Sequence, residues 1–268
     1  MHSIRFMTIL NDSTAEGGGS RATRTLAPQA VGNTSPENGP PVFPFAYAVF
    51  SLPFVIAWMF LYLRSTRLRP SMLGTSAFMG LAGPIGEFWH GRDYWHPDYL
   101  VSLSIGSWRF GLEDYVLTFA MAGTVMAIYE TWAVRLGWSP LPRLSFKAMV
   151  RLDMWGNFGI VSMFLFTSLL RLNSIYAIVL SLLISSAVIG AIRPAGMLHA
   201  ACIAVVFAAA YWLLFAFFFM PLFPGILENW WNLDALWKIR IAGVPLEEPL
   251  WAFCVALMVG PLIRLSSE

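Results

Sequence analysis

Seven apolar stretches run through this chain, at roughly 43–63, 70–88, 112–134, 154–170, 173–192, 195–219 and 245–264. A helix needs about 20 apolar residues to cross hydrocarbon. Backbone groups inside a bilayer find no water, so stretches of this kind have to fold as helices. Composition agrees, because only 12% of the 268 residues are charged and 57% are apolar. Soluble domains carry roughly 25% charged residues. The expected fold is all-α, a polytopic membrane bundle of about seven transmembrane helices integral to the cell (inner) membrane. Only Arg171, Leu172 and Asn173 separate the fourth and fifth stretches, so one long buried helix is the alternative there.

Residues 1–40 are rich in Gly, Ser, Thr, Asn and Pro and read as a flexible tail. Arg64, Arg67, Arg69, Arg135, Arg143, Lys147, Arg151, Arg193 and Arg264 fall in loops on one side of the predicted bundle. Arg92, Arg109, Arg171, Lys238 and Arg240 fall on the other. The positive-inside rule puts the first group in the cytoplasm and the tail outside. Acidic and basic counts of 15 and 17 nearly cancel, and no basic block is present. Nucleic acid is therefore not an expected partner. Cys202 and Cys254 lie in apolar runs and are expected as small packed side chains.

A paired-acid turn occurs twice, each time at the start of an apolar stretch. Glu113-Asp114 precedes the third stretch and Glu247-Glu248 the seventh. Both pairs follow a loop with tryptophans and an Ile-Gly or Ile-Ala-Gly step, and both loops start near an acid, Glu87 or Glu228. This predicts two parallel three-helix repeats joined by one helix, which restores the direction of the second repeat. The expected divisions are a tail 1–40, a first repeat 41–134, a connecting segment 135–172 with the linker helix, and a second repeat 173–268.

Acids in a first helical turn are favoured as caps, and capping alone is one explanation of each pair. Adjacent carboxylates at a membrane boundary are costly to ionise together, so one tends to keep its proton. The recurrence of the pair favours chemistry: Glu247 and Glu248 first, then Glu113 and Asp114, with Glu87 and Glu228 in support. Trp89, Trp95, Tyr99 and Trp108 accompany the first set, and Trp231, Trp237, Trp251 and Pro245 the second. An interfacial aromatic belt explains such residues. Ring faces that stabilise a carbocation explain them equally, and an acid among such faces suits alkene protonation. His90, Asp93 and His96 match no metal-ligand spacing, so no metal is expected. His199 is expected as a packed or hydrogen-bonded helix residue, and Glu130 and Asp153 as solvated. Motifs for nucleotide binding, serine hydrolysis or zinc proteolysis are absent from the sequence.

The segment Arg240-Ile241-Ala242-Gly243-Val244-Pro245-Leu246-Glu247-Glu248 resembles the repeated PxEE motif of carotenoid cyclases of the lycopene cyclase domain type, in their fused two-subunit form. The first copy is similar in layout but has Gly111 for the proline and Asp114 for the second glutamate. The resemblance implies a linear, lycopene-like carotenoid substrate within membrane lipid and an isomerisation. A carboxylic acid protonates the terminal double bond, an internal double bond closes the ring, and a proton is lost. Such chemistry is redox-neutral and implies no cofactor. The alternative is a cyclase-like protein that binds or transports a carotenoid or other lipid without turnover.

Overall fold

The computed structural model describes residues 42–141 and 145–267. The chain divides into two units, Met1–Gly39 and Pro40–Glu268, and the described residues belong to the second. The predicted tail and Arg143 lie outside the described residues.

Helix α1 spans Ala46–Arg64, followed by α2 (Arg69–Gly80) and α3 (Ala82–Asp93). The second apolar stretch is thus two short helices with a break at Leu81. Pro84 explains the break, because it has no N–H to offer the Gly80 carbonyl one turn back. Thr118 Oγ1 lies 2.8 Å from Gly80 O and 2.7 Å from Asp114 O, so its one proton serves both carbonyls. Strands β1 (Ser102–Ile105) and β2 (Trp108–Gly111) form an antiparallel hairpin that leads directly into α4 (Leu112–Arg135). Helix α5 (Phe146–Phe164) ends in a π-helical turn at Leu165–Leu169, and α6 (Ser174–Ile192) follows. The two are separate helices, so the long-helix alternative does not hold.

Helix α7 (Met197–Leu214) continues through a π-helical turn at Phe215–Phe219 into α8 (Met220–Leu222), and the short α9 (Ile226–Trp230) comes next. Strands β3 (Arg240–Ile241) and β4 (Val244–Pro245) make a second hairpin in front of α10 (Glu247–Ser267). Its turn residues Ala242 and Gly243 have φ of 49° and 85°, the pattern of a tight two-residue hairpin turn with both central residues left-handed. The fold is therefore mostly helical, and the two hairpins are an addition to the all-α expectation. Each occupies an Ile-Gly or Ile-Ala-Gly step before an acid pair.

Among the described residues, five helices are long and apolar enough to cross a membrane: Ala46–Arg64, Leu112–Arg135, Ser174–Ile192, Met197–Leu222 and Glu247–Ser267. These mark a membrane protein. Helix α10 packs on α7, α6, α4 and α5, and α4 packs on α2, α1, α3 and α7. The two acid-pair helices thus form the centre. Glycine permits one close approach there: the Trp58 indole donates to Ser76 Oγ at 2.9 Å directly across Gly123 of α4, where a Cβ would collide with both groups. Large apolar side chains such as Ile56 and Phe60 of α1, and Val205 and Val206 of α7, remain exposed, as lipid-facing positions do.

Three sequence expectations change here. Glu130 is buried, and Arg264 donates to it through Nε and Nη2, both at 2.9 Å. Cys202 is exposed while Cys254 is buried. Glu228 of α9 is exposed. His199 is hydrogen-bonded as expected, its Nε2 lying 3.3 Å from Tyr129 O, and Asp153 is exposed.

Candidate functional site

The two aromatic loops pair with each other at one end of the bundle. His96 N donates to Trp230 O at 2.7 Å, and Asn232 N donates to Tyr94 O at 2.8 Å. Trp95 and Trp231 face each other across this bridge, their rings 5.4 Å apart. Beneath the bridge lies a cavity of about 340 Å³ lined by Glu87, Asp114 and Glu248 together with Trp89, Trp95, Trp231 and Trp251. Its walls continue along one stripe of α10: Glu248, Trp251, Val255, Met258 and Leu262. That spacing repeats one helical face, and Glu248 to Leu262 is about 21 Å at ~1.5 Å rise per residue. Leu117 and Met121 of α4 and Ile178 and Leu182 of α6 also line it. The cavity is therefore long and apolar, with three carboxyl groups toward one end.

The members of each acid pair have different surroundings. Glu248 accepts from three donors: Trp231 Nε1 at 2.8 Å, Tyr211 Oη at 2.7 Å and Tyr94 Oη in a shorter contact. Both oxygens are engaged by donors, as suits an anion. Glu247 points elsewhere: its Oε1 accepts from Trp237 N at 2.6 Å and Tyr176 Oη at 2.8 Å. Glu113 behaves similarly, accepting from Leu100 N at 2.6 Å. These two glutamates hold the loops that lead into their helices, and neither lines the cavity.

Asp114 closes the first turn of α4 by accepting from Gly111 N at 2.7 Å through Oδ2. Its Oδ1 is buried without a hydrogen-bond partner. Glu87 accepts from Trp95 Nε1 at 2.9 Å. The Tyr99 phenol lies against both carboxyls, and burial together with these two charges pushes it far above the ordinary tyrosine range. Burial, then the neighbouring Glu248 charge, does the same to Tyr94. Both phenols are held neutral, and Tyr94 donates to Glu248. Gly83 makes the Glu87–Asp114 approach possible, since a Cβ there would fall on the Asp114 carbonyl.

The structure thus gathers Glu87, Asp114, Glu248, Trp89, Trp95, Trp231 and Trp251 at the cavity and sets Tyr99 behind its acids. Glu113, Glu247 and Glu228 are not brought there. Neither are Trp108, whose Nε1 donates to Pro84 O at 3.0 Å, Pro245 in β4, or Trp237, which stacks on Tyr176 at 5.0 Å. Among the described residues, no three His, Cys, Asp or Glu side chains form a group able to hold a metal. The sequence reading did not single out Tyr47 or Tyr211, both of which line the cavity. A signal for Tyr211 existed, because a tyrosine deep in an apolar helix needs a partner for its hydroxyl.

Residues 173–265 match the family model described as Lycopene cyclase. No curated protein and no solved structure matches the chain. The matched part runs from the start of α6 into α10 and holds Tyr176, Tyr211, Trp231, Glu247 and Glu248. Glu87 and Asp114 come from the part of the chain outside it, yet they line the same cavity as Glu248.

Proposed function

We propose that this protein is a membrane carotenoid cyclase of the lycopene type, which closes a ring at the end of a linear polyene. The observation that carries this reading is one long apolar cavity with Glu87, Asp114 and Glu248 together near one end. Lycopene has no polar group for a site to hold, so recognition has to rest on shape and apolar contact. A volume of about 340 Å³ lies at the lower end of the ~300–1,000 Å³ typical of ligand pockets. It suits one end of such a molecule, with the remainder outside.

In this reading Asp114 and Glu87 form the acid pair. Two buried carboxyls against one phenol suit a shared proton. The proton goes to the terminal double bond and leaves a tertiary cation. An internal double bond attacks it and closes the ring. The Trp95 and Trp231 faces and the triply bonded Glu248 carboxylate stabilise the positive charge. Loss of a ring proton restores neutrality. Carbon gains and loses one proton each, so the step is an isomerisation without redox change or nucleotide.

The matching hairpins before α4 and α10 and the mutual pairing of their loops support two parallel repeats in a fused chain. With α2–α3 and α5 counted as crossings, the chain crosses seven times, and the charge bias of the loops favours Glu113-Asp114 and Glu247-Glu248 on the outer side of the cell membrane. The test is pigment analysis after expression in a lycopene-accumulating host. Cyclic product is expected from the wild type, and none from Glu248→Gln at equal protein level. Unchanged lycopene with well-expressed wild-type protein would refute the reading.

A further inference from the structure

His90 is the cavity-lining imidazole that this scheme leaves unused. It lies one helical turn after Glu87 on the same face of α3, and both side chains line the cavity. On its other side its ring sits 5.5 Å from that of Tyr94, which donates to Glu248. The imidazole therefore lines the cavity beside Glu87 and beside the tyrosine that donates to Glu248.

Its hydrogen bonding is directional. His90 Nδ1 is 2.8 Å from Ser174 Oγ, and Ser174 Oγ donates to Asp93 Oδ1 at 2.6 Å. Ser174 N also contacts both Asp93 oxygens, at 3.2 and 3.1 Å. Having given its only proton to Asp93, the Ser174 hydroxyl can only accept from His90. The imidazole proton is therefore on Nδ1, and Nε2 carries a free lone pair. Ser174 is fully buried, whereas Asp93 is half-buried at the end of α3, next to Arg92 and near His96. The row runs from the cavity to the surface in three steps.

We propose that His90 is the base that takes the ring proton, and that Ser174 and Asp93 carry that charge change outward. This rests on the cyclase reading above. The C–H bond of the ring cation breaks, its electron pair becomes the new ring double bond, and the proton joins His90 Nε2. The Nδ1 proton then passes to Ser174 Oγ as the Ser174 proton passes to Asp93, which releases it to water, and water entering as product leaves takes the Nε2 proton and returns one to Nδ1, so that the starting tautomer is restored. The initiating carboxyl is refilled separately from solvent. Proton entry and exit thus use different groups.

The test uses full-length protein in liposomes with lycopene, in light and heavy water. His90→Gln keeps a donor toward Ser174 but cannot take a proton. It should lower turnover by about 10²-fold or more, the usual contribution of a general base, with bound polyene unchanged by its absorption spectrum. Ser174→Ala leaves His90 in place and should lower turnover by about 10-fold, an intermediate loss on that scale. In heavy water each ring closed by the wild type should carry one deuterium, because the acid is refilled from solvent. Substrate-derived protium at the newly protonated ring carbon would overturn the proposal, since the initiating carboxyl would then collect the ring proton itself and pass it to the next substrate. Full activity of His90→Gln with polyene bound would overturn it too. A wild type that forms no ring at all would instead remove the cyclase reading itself.

Discussion

Glu247 and Glu248 open the same helix, and helical geometry turns adjacent side chains about 100° apart. One faces the loop in front of α10, and the other faces the cavity. Their amide variants should separate accordingly. Glu248→Gln removes the negative charge held by Tyr94, Tyr211 and Trp231 and should abolish cyclisation, by about 10²-fold or more, as for loss of an oxyanion-type electrostatic contact. Glu247→Gln keeps an oxygen for Trp237 N and Tyr176 and should retain most activity while lowering stability by about 1 kcal/mol. Asp114→Asn and Glu87→Gln should each be severe, because either change removes half of the acid pair. Product yields normalised to protein level, with thermal midpoints in detergent, check the set. Equal loss from Glu247→Gln and Glu248→Gln would contradict the division of roles.

The hairpins and the broken helix set where these side chains stand. Ala242 has a left-handed φ of 49°, a conformation that costs a residue with a Cβ about 1–2 kcal/mol. Ala242→Gly should therefore raise the thermal midpoint by about 1 kcal/mol equivalent without changing product. Gly243→Ala, at φ 85° and with a Cβ 2.9 Å from Met220 Cε, should lower it by a similar amount. The α3–α4 contact is less forgiving. Gly83→Ala puts a methyl group against the Asp114 backbone, which overpacking prices at about 1–3 kcal/mol. It should also push Glu87 from Asp114, so activity should fall more than stability does. A variant with lost stability and wild-type turnover would show that the spacing of these two acids is not critical.

Across the whole molecule, α4 and α10 are tied at the end opposite the acids by the Glu130–Arg264 pair, with Arg264 Nη2 also donating to Ser139 O at 2.9 Å. Removing one partner of a buried pair leaves the other charge alone, at about 3–5 kcal/mol. Arg264→Met should therefore unfold or strongly destabilise the protein, and Glu130→Leu combined with Arg264→Met should recover much of the loss. Melting in detergent decides between them. Membrane orientation has its own test. Cysteine placed at Arg67 and at Ser104 of the exposed first hairpin should label from opposite faces. Ser104 is preferable to Asp98, whose Oδ2 accepts from Phe43 N at 2.8 Å and Trp230 Nε1 at 3.2 Å. Labelling of both sites from one face would remove the orientation argument.

The apolar stretches by themselves determined that this chain is a helical membrane protein, because runs of about 20 apolar residues match a spanning helix and are twice the length of a barrel strand. The repeated acid pair and its tryptophans pointed to the end of the bundle where Glu87, Asp114 and Glu248 line the cavity, and capping rules placed all four acids in first helical turns. Sequence could not divide each pair by role, since Glu113 and Asp114 are one residue apart and only packing decides which faces the cavity. It took Glu228 as the counterpart of Glu87 from its place beside a tryptophan loop, but the α9 turn leaves Glu228 outside. Glu130 looked solvated because its partner Arg264 is distant in the chain. Only the tertiary structure brought Glu87 of α3, Asp114 of α4 and Glu248 of α10 to one cavity, and set His90 against Ser174. Those contacts join residues far apart in sequence, and no local propensity encodes them. They follow from how α4 and α10 pack, with the two aromatic loops paired above them.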